Sequence, residues 1–172
     1  MNSPTLRLCV GALVFNQDNE VLLCRRSSNK KIEVGKWQFP QGGVNPGEDN
    51  YNAVIREIKE EIGLDVSLES LRYVSRIEQP LSYMFPDPEG RHHHGQLIHW
   101  YLFHLPKSMS NLINLNVEDP PEFDQFQWIP FQTYIDQPHM MVGFKIEMYR
   151  NLFLESQPII SHFLIDLNVT NN

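Results

Sequence analysis

The segment GGVNPGEDNYNAVIREIKEEIGL, residues 42–64, contains a loop followed by a helix whose two ends are both marked in the sequence. Asp49 or Asn50 suits the N-terminal cap, because a short polar side chain can accept a hydrogen bond from an unpaired amide of the first turn. Gly63 suits the left-handed position that follows a helix. Between these residues, apolar side chains recur at helical spacing. The segment therefore predicts a single amphipathic helix that packs on a core.

Three glutamates share one face of this predicted helix. At about 100° per residue, Glu57, Glu60 and Glu61 fall within a sector of about 100°, directly beside the apolar stripe. Glu57 stands three and four residues before the other two, and each like-charge pair destabilises an isolated helix by about 0.2–0.5 kcal/mol. Arg56 can neutralise one charge, and the remaining charges predict a bound cation. The alternative is a solvated acidic run on the surface, which the helix alone does not exclude.

The chemistry of these acids favours a particular cation and reaction. Carboxylate oxygens with no neighbouring His or Cys favour Mg²⁺ or Mn²⁺ over zinc. Magnesium keeps several bound waters and bridges to phosphate oxygens. The acidic face therefore indicates hydrolysis of a phosphate or pyrophosphate.

The spacing upstream of the helix makes this interpretation specific. Five residues separate Gly42 from Glu48, seven separate Glu48 from Arg56, and EIKEEIGL follows. Residues 42–64 thus resemble the Nudix box, G-x5-E-x7-R-E-U-x-E-E-x-G-U with U apolar, at every specified position. The resemblance implies an α/β fold, the Nudix αβα sandwich with a mixed β-sheet between helices. It also implies hydrolysis of nucleoside diphosphates that are linked to another moiety.

The resemblance assigns roles to the residues of this segment. Arg56 would orient the glutamates, and Glu48 would support the loop and the helix. The implied metal ligands are the carbonyl group of Gly42 and the side chains of Glu57, Glu60, Glu61 and Glu122. These glutamates and Arg56 would be the catalytic residues, and which glutamate acts as the base varies among Nudix enzymes. The implied cofactor is Mg²⁺ or Mn²⁺.

The sequences WQFPQGGVNPGE, PEFDQFQW and FKIEMY extend the resemblance to about residues 7–150. They are similar to bacterial RNA pyrophosphohydrolases and to the related bacterial and plant dinucleoside polyphosphate hydrolases. In that group the acid at Glu122 joins the metal site. The implied substrate-binding residues are Arg7, Arg26, Tyr83, Val142, Phe144 and Lys145. The chain departs from the group at GQLIHW, where Ile98 and His99 replace a polar and a basic residue near the substrate, and in the loop PDPEGRHHHG.

The resemblance implies a metal-dependent pyrophosphohydrolase that cleaves phosphoanhydrides at a nucleotide 5′ end. Its substrate would be 5′-triphosphate or diphosphate RNA, or a dinucleoside polyphosphate such as diadenosine tetraphosphate. One alternative is a Nudix hydrolase that acts on another diphosphate, such as a diphosphoinositol phosphate or a nucleotide sugar. Another is a non-catalytic Nudix-fold protein that binds a nucleotide or RNA, although such a protein would be expected to lack a box glutamate.

The whole chain, residues 1–172, is expected to form one Nudix hydrolase domain with its core at about residues 5–157. At 172 residues and 41% hydrophobic, it can bury one sizeable core. The predicted strands are LRLCVGALVF, VLLCRR, LRYVSRIEQPLSYMF, QLIHWYLFHL and FQWIPF, followed by a closing helix, FKIEMYRNLFLE, and a frayed tail, DLNVTNN. A monomer is compatible with the sequence, which does not decide the oligomeric state.

The formal charge of −7 argues against binding to duplex nucleic acid, because such binding needs a basic face. Residues 1–36 nevertheless carry six basic and three acidic residues, which suits a short anionic ligand. No stretch of the sequence is long and apolar enough to span a membrane. The first residues lack the basic region, apolar region and cleavage site of a signal peptide. Cys9 and Cys24 lie in apolar runs and are expected to be reduced, buried thiols. We therefore expect a cytoplasmic protein without a membrane partner.

Overall fold

The computed structural model describes residues 4–67, 70–87 and 89–170, which form a mixed sheet with helices on both faces. The strands are β1 (Leu6–Phe15), β2 (Glu20–Arg26), β3 (Trp37–Gln38), β4 (Gln41–Gly43), β5 (Arg72–Arg76), β6 (Leu81–Met84), β7 (Gly95–His104) and β8 (Phe123–Pro130). The α-helices are α1 (Asn50–Ile62), α2 (Phe131–Ile135) and α3 (Ile146–Thr170). Short 3₁₀ turns span Lys107–Leu112, Pro138–Met140 and Gly143–Lys145.

The sheet is organised around β1. This strand runs parallel to β7 along its whole length, from the pair Leu6 and Gly95 to the pair Phe15 and His104. β2 and β4 run antiparallel to β1, and β2 also pairs with β3 and β8. β5 and β6 both pair with β7. The parallel pair at the centre is buried on both faces, which explains the nearly continuous apolar run in β1.

Side chains of β1 alternate between two apolar cores, because successive residues of a strand point to opposite faces of the sheet. Cys9 and Leu13 belong to the core beneath α2 and α3, whereas Val10 and Val14 belong to the core beneath α1. The predicted α/β architecture, an αβα sandwich with a mixed sheet between helices, is confirmed.

The ends of α1 lie where the sequence predicted them. The side chain of Asp49 accepts a hydrogen bond of 3.0 Å from the backbone amide of Asn52. Gly63 adopts a left-handed conformation with φ of 69°, and its amide donates to the carbonyl oxygen of Lys59. Lys59 is exposed, whereas Ile58, about 100° away around the helix, is fully buried. The helix therefore presents a defined face to the sheet, and this fixes the direction of its acidic side chains.

The closing helix α3 is longer than predicted. The sequence predicted a helix near residues 144–155 and a frayed tail from residue 166, but the helix runs from Ile146 to Thr170 and passes through Pro158. Its C-terminal half packs on the sheet, because Ile160 is fully buried and the ring of Phe163 lies 5.5 Å from that of Phe15. This tertiary packing offsets the usual helix-breaking effect of proline.

Two further sequence expectations can be compared with the described residues. No helix within them is both long enough and apolar enough to cross a membrane. Cys9 and Cys24 are both free and fully buried, as predicted.

Candidate active site

A cleft of about 440 Å³ brings together most of the residues that the sequence singled out. It is bounded by parts of β1, β2, β4, α1 and β6 and by the segments that precede β8 and α3. The predicted site residues that line it are Arg7, Arg26, Gly42, Glu57, Glu61, Tyr83, Glu122, Phe144 and Lys145. Acidic and basic side chains from distant parts of the chain therefore face one another across a single cavity.

Arg56 holds the acidic side of the site together. Its guanidinium donates two hydrogen bonds of 2.9 Å to the carboxylate of Glu48 and one of 2.8 Å to the carbonyl oxygen of Gly43. It also donates to Glu57 at 2.8 Å and to Glu60 at 3.1 Å. The hydrogen bonds from Arg56 lower the pKa of Glu48 to about 2, so Glu48 stays ionised. Arg56 thereby links the loop after β4 to the acidic face of α1.

Gly42 allows the loop to approach α1 closely. A Cβ atom at this position would lie 2.0 Å from the carboxyl carbon of Glu57, which is far shorter than any normal contact. Gly42 pairs with Val10 in the sheet, so its backbone cannot move away without breaking the pairing of β4 with β1. A glycine is therefore required here for Glu57 to keep its position.

Glu61 is the most deeply buried acid of the cleft, with 4% of its surface exposed. One of its oxygens accepts a hydrogen bond of 3.1 Å from the amide of Gln41. Burial raises the pKa of Glu61, and the nearby charges of Glu122 and Glu57 raise it further. Burial also raises the pKa of Glu57, against the opposing effect of Arg56. These carboxylates repel one another in a poorly solvated place, and a bound cation would relieve that repulsion.

The acids fit a divalent cation by their chemistry, although they do not converge on one point as they stand. Within the described ranges, no group of three His, Cys, Asp or Glu side chains is close enough to hold a metal. The cause is that Glu57 and Glu60 turn toward Arg56, while Glu122 forms an ion pair of 2.5 Å with Lys30. Glu61, by contrast, forms no ion pair with the described residues and faces the cleft. Carboxylate and carbonyl oxygens are the ligands that hard divalent cations prefer.

Basic groups also line the cleft. The carboxamide oxygen of Gln38 accepts hydrogen bonds from Arg26 at 2.9 Å and from Lys145 at 3.1 Å. Lys145 is 3% exposed, and burial lowers its pKa to about 7, with a smaller contribution from the charge of Arg26. The guanidinium of Arg7 lies over Gly43, where a Cβ atom would be 2.0 Å from it. These basic side chains can donate hydrogen bonds to an anionic group in the cleft.

Aromatic rings form a third part of the cleft. The ring of Phe144 lies 5.4 Å from that of Tyr83 and 5.9 Å from that of Phe85. The hydroxyl of Tyr83 donates a hydrogen bond of 2.6 Å to the carboxamide oxygen of Gln96, which fixes the ring. Burial raises the pKa of Tyr83, so its hydroxyl stays protonated at neutral pH. This aromatic surface is suited to packing against a nucleobase.

Five residues that the sequence placed at or near the site do not line the cleft. Val142 is fully buried and lies outside the lining of the cleft. Its backbone instead starts the 3₁₀ turn before α3, because its carbonyl oxygen accepts a hydrogen bond from the amide of Lys145. Ile98 and His99 do not line the cleft either, since Ile98 packs in the core beneath α3. Arg56 and Glu60 lie next to the cleft but not on its wall.

The structure also places at the cleft residues that the sequence did not assign to the site. They are Lys30, Lys31, Ile32, Gln38, Gln41, Phe85, Arg91 and Gln96. The glutamines are neutral, and no charge pattern identifies them. Gln38 and Gln41 could have been noticed because they flank the turn of WQFPQGG, which leads directly into the acidic segment.

Comparisons with known proteins agree on one family. A model of the NUDIX domain matches residues 5–152. The chain is 31% identical over 159 residues to an RNA pyrophosphohydrolase of Erythrobacter litoralis, covering 90% of this chain and 92% of the relative. It is 34% identical over 160 residues to an RNA pyrophosphohydrolase of Acinetobacter baylyi, covering 90% of both chains.

Solved structures are similar in fold at low sequence identity. The crystal structure of a MutT protein from Methanosarcina mazei has a TM-score of 0.62 at 20% identity, covering 91% of this chain and 99% of that chain. An Ap4A hydrolase of C. elegans, solved as a binary complex, has a TM-score of 0.56 at 20% identity, covering 85% and 96%.

Proposed function

The chain belongs to the Nudix family, and we propose that its cleft hydrolyses a phosphoanhydride at the 5′ end of a nucleotide or RNA. The observation that carries this proposal is that one cleft is lined by acids and by basic groups. Glu57, Glu61 and Glu122 line the same cavity as Arg26 and Lys145. A polyphosphate can span such a cleft, because its oxygens bridge a metal on the acids and hydrogen-bond donors on the cations.

The proposed cofactor is Mg²⁺ or Mn²⁺. It would be held by the carbonyl group of Gly42 and by the carboxylates of Glu57, Glu60, Glu61 and Glu122. When bound, the cation would lower the pKa of the attacking water and neutralise charge on the leaving phosphate. Arg56 would hold Glu57 and Glu60 in place through its existing hydrogen bonds.

The basic side of the cleft would bind and orient the substrate. Arg7, Arg26 and Lys145 would contact phosphate oxygens, while Tyr83 and Phe144 would pack against the terminal nucleoside. Because Gln38 already orders both Arg26 and Lys145, little side-chain entropy would be lost when phosphate binds. The acids and the cations all come from one chain, so this proposal needs no second subunit.

An RNA 5′ end is the favoured substrate, because the relatives at 31–34% identity that cover nine tenths of the chain are RNA pyrophosphohydrolases. A dinucleoside polyphosphate is the second candidate. It is favoured by Tyr83, which lies in the cleft against Phe144. The dinucleoside polyphosphate hydrolases that the sequence resembles carry a tyrosine downstream of the box, and Tyr83 matches it if two extra residues are allowed between them. A cytoplasmic location is part of the proposal, because free buried cysteines are typical of a reducing compartment.

A substrate panel tests this proposal. The protein is incubated with Mg²⁺ and, separately, with 5′-triphosphate RNA, 5′-diphosphate RNA and diadenosine tetraphosphate. We expect release of phosphate or pyrophosphate from at least one RNA. Absence of turnover on all three substrates, with Mn²⁺ as well as Mg²⁺, would contradict the proposal. Tight binding without turnover would instead indicate a nucleotide-binding protein.

A further inference from the structure

A second pocket of about 280 Å³, here called the distal pocket, adjoins the cleft. Four residues line both cavities, namely Arg7, Phe85, Arg91 and Gln96, so the two cavities are neighbours that share part of their walls. The distal pocket is completed by Gly90, His92 and His93. No Asp or Glu is among the described residues that line it. It could therefore accept an anionic extension of a ligand whose phosphates lie in the cleft.

Arg91 is the residue best placed to recognise that extension. Its guanidinium carbon lies 4.4 Å from the centre of the Phe85 ring, and its Nε donates a hydrogen bond of 2.9 Å to the carbonyl oxygen of Asp87. Within the described part of the chain, no carboxylate forms an ion pair with Arg91. Because a guanidinium carries five N–H donors in a planar fork, the Nη groups stay available to a ligand.

The surrounding structure holds Arg91 in a defined place. Arg91 lies in the loop between β6 and β7. The amide of Phe85 donates to the carbonyl oxygen of His94, and the amide of His94 donates to the carbonyl oxygen of Thr5, so backbone hydrogen bonds hold both ends of this loop beside the sheet. The Phe85 ring packs 5.6 Å from the ring of Tyr83, which the hydrogen bond to Gln96 fixes. A cation supported in this way loses little freedom when it binds an anion.

We propose that the distal pocket binds the phosphodiester that follows the first nucleotide of an RNA substrate, with Arg91 as its main contact. This inference rests on the proposed function, and it selects RNA over a dinucleoside polyphosphate. RNA carries a negative charge at every internucleotide linkage, so a phosphodiester would continue from the cleft into the distal pocket. The second nucleoside of a dinucleoside polyphosphate is neutral and would leave Arg91 without an anionic partner.

The kinetic test compares kcat/KM for a 5′-triphosphorylated dinucleotide with kcat/KM for diadenosine tetraphosphate. We expect Arg91→Ala to lower the preference for the dinucleotide by roughly tenfold or more, the effect typical of losing a hydrogen bond to a charged group. Arg91→Lys keeps the charge but loses the planar fork, and an intermediate loss is expected. Arg72→Ala is the matched control, because Arg72 also lies over a phenylalanine ring, at 5.3 Å from Phe163, but away from the cleft. Equal losses on both substrates in Arg91→Ala, or no loss on either, would overturn the inference.

A binding test does not depend on turnover. The affinity of a 5′-monophosphorylated dinucleotide is measured against that of a nucleoside monophosphate over a range of salt concentrations. In Arg91→Ala we expect weaker binding of the dinucleotide and unchanged binding of the nucleoside monophosphate. The dinucleotide affinity should also depend less on salt concentration, because one ionic contact is lost. If Arg91→Ala weakens dinucleotide binding but the wild-type protein hydrolyses no substrate, the proposed function is wrong while phosphodiester binding in the distal pocket is supported. If the enzyme is active and Arg91→Ala binds both compounds normally, phosphodiester binding in the distal pocket is refuted while the proposed function is supported.

Discussion

The close approach of Gly42 to Glu57 leads to a sharp prediction for Gly42→Ala. The added Cβ atom would start 2.0 Å from the carboxyl carbon of Glu57, and ordinary contact begins at 3.4 Å, so the carboxyl group must move by about 1.4 Å. The side chain can make this movement by rotating, because its terminal group is flexible, whereas the strand pairing of Gly42 with Val10 cannot adjust as easily. A misplacement of about 1 Å at a reacting centre can reduce turnover by about 10²-fold.

We therefore expect Gly42→Ala to lower kcat by about 10²-fold and to weaken Mn²⁺ binding, with little change in melting temperature. Steady-state hydrolysis of triphosphorylated RNA measures kcat, and isothermal titration calorimetry measures Mn²⁺ affinity. Thermal unfolding gives the melting temperature. Gly143→Ala is a matched control, because the nearest atom to its new Cβ would be an oxygen of Glu33 at 3.4 Å. Near-normal kcat and Mn²⁺ affinity in Gly42→Ala would refute the reasoning, and a large fall in melting temperature would show that the strand had moved instead of Glu57.

Three further predictions concern single residues. Glu60→Gln should lower kcat by roughly 10²-fold or more with an unchanged melting temperature, because the side chain is 38% exposed; near-normal turnover would refute its metal role. Arg56→Lys should lower kcat and also reduce the free energy of unfolding by about 1–3 kcal/mol, since lysine cannot reproduce the paired hydrogen bonds to Glu48; unchanged urea denaturation would contradict this. Lys145→Met should change how stability depends on pH. Burial lowers the pKa of Lys145 to about 7, so the unfolded chain binds more protons between about pH 7 and pH 10. The stability of the wild type relative to the variant should therefore rise with pH across that window and stay flat below it, and urea denaturation that shows no such slope would contradict the lowered pKa of Lys145.

The structure differs from the local sequence pattern where packing between distant segments decides the outcome. The sequence predicted a closing helix over FKIEMYRNLFLE and a frayed tail, DLNVTNN, but Ile160 and Phe163 pack on the sheet and the helix continues to Thr170. Val142 was expected to contact the substrate because of its place in a motif. The structure buries it, because the 3₁₀ turn that starts there directs Phe144 and Lys145, rather than Val142, into the cleft.

The sequence by itself determined the acidic half of the site. Helical spacing places Glu57, Glu60 and Glu61 on one face whatever surrounds the helix, and the caps at Asp49 and Gly63 are local features. Only the tertiary structure decided the basic half. Arg26 and Lys145 are far apart in the chain, and they meet because β2, β3 and the turn before α3 converge on Gln38. The sequence marked the loop PDPEGRHHHG as a departure from the group, but the distal pocket beside it depends on long-range strand pairing that no local pattern encodes.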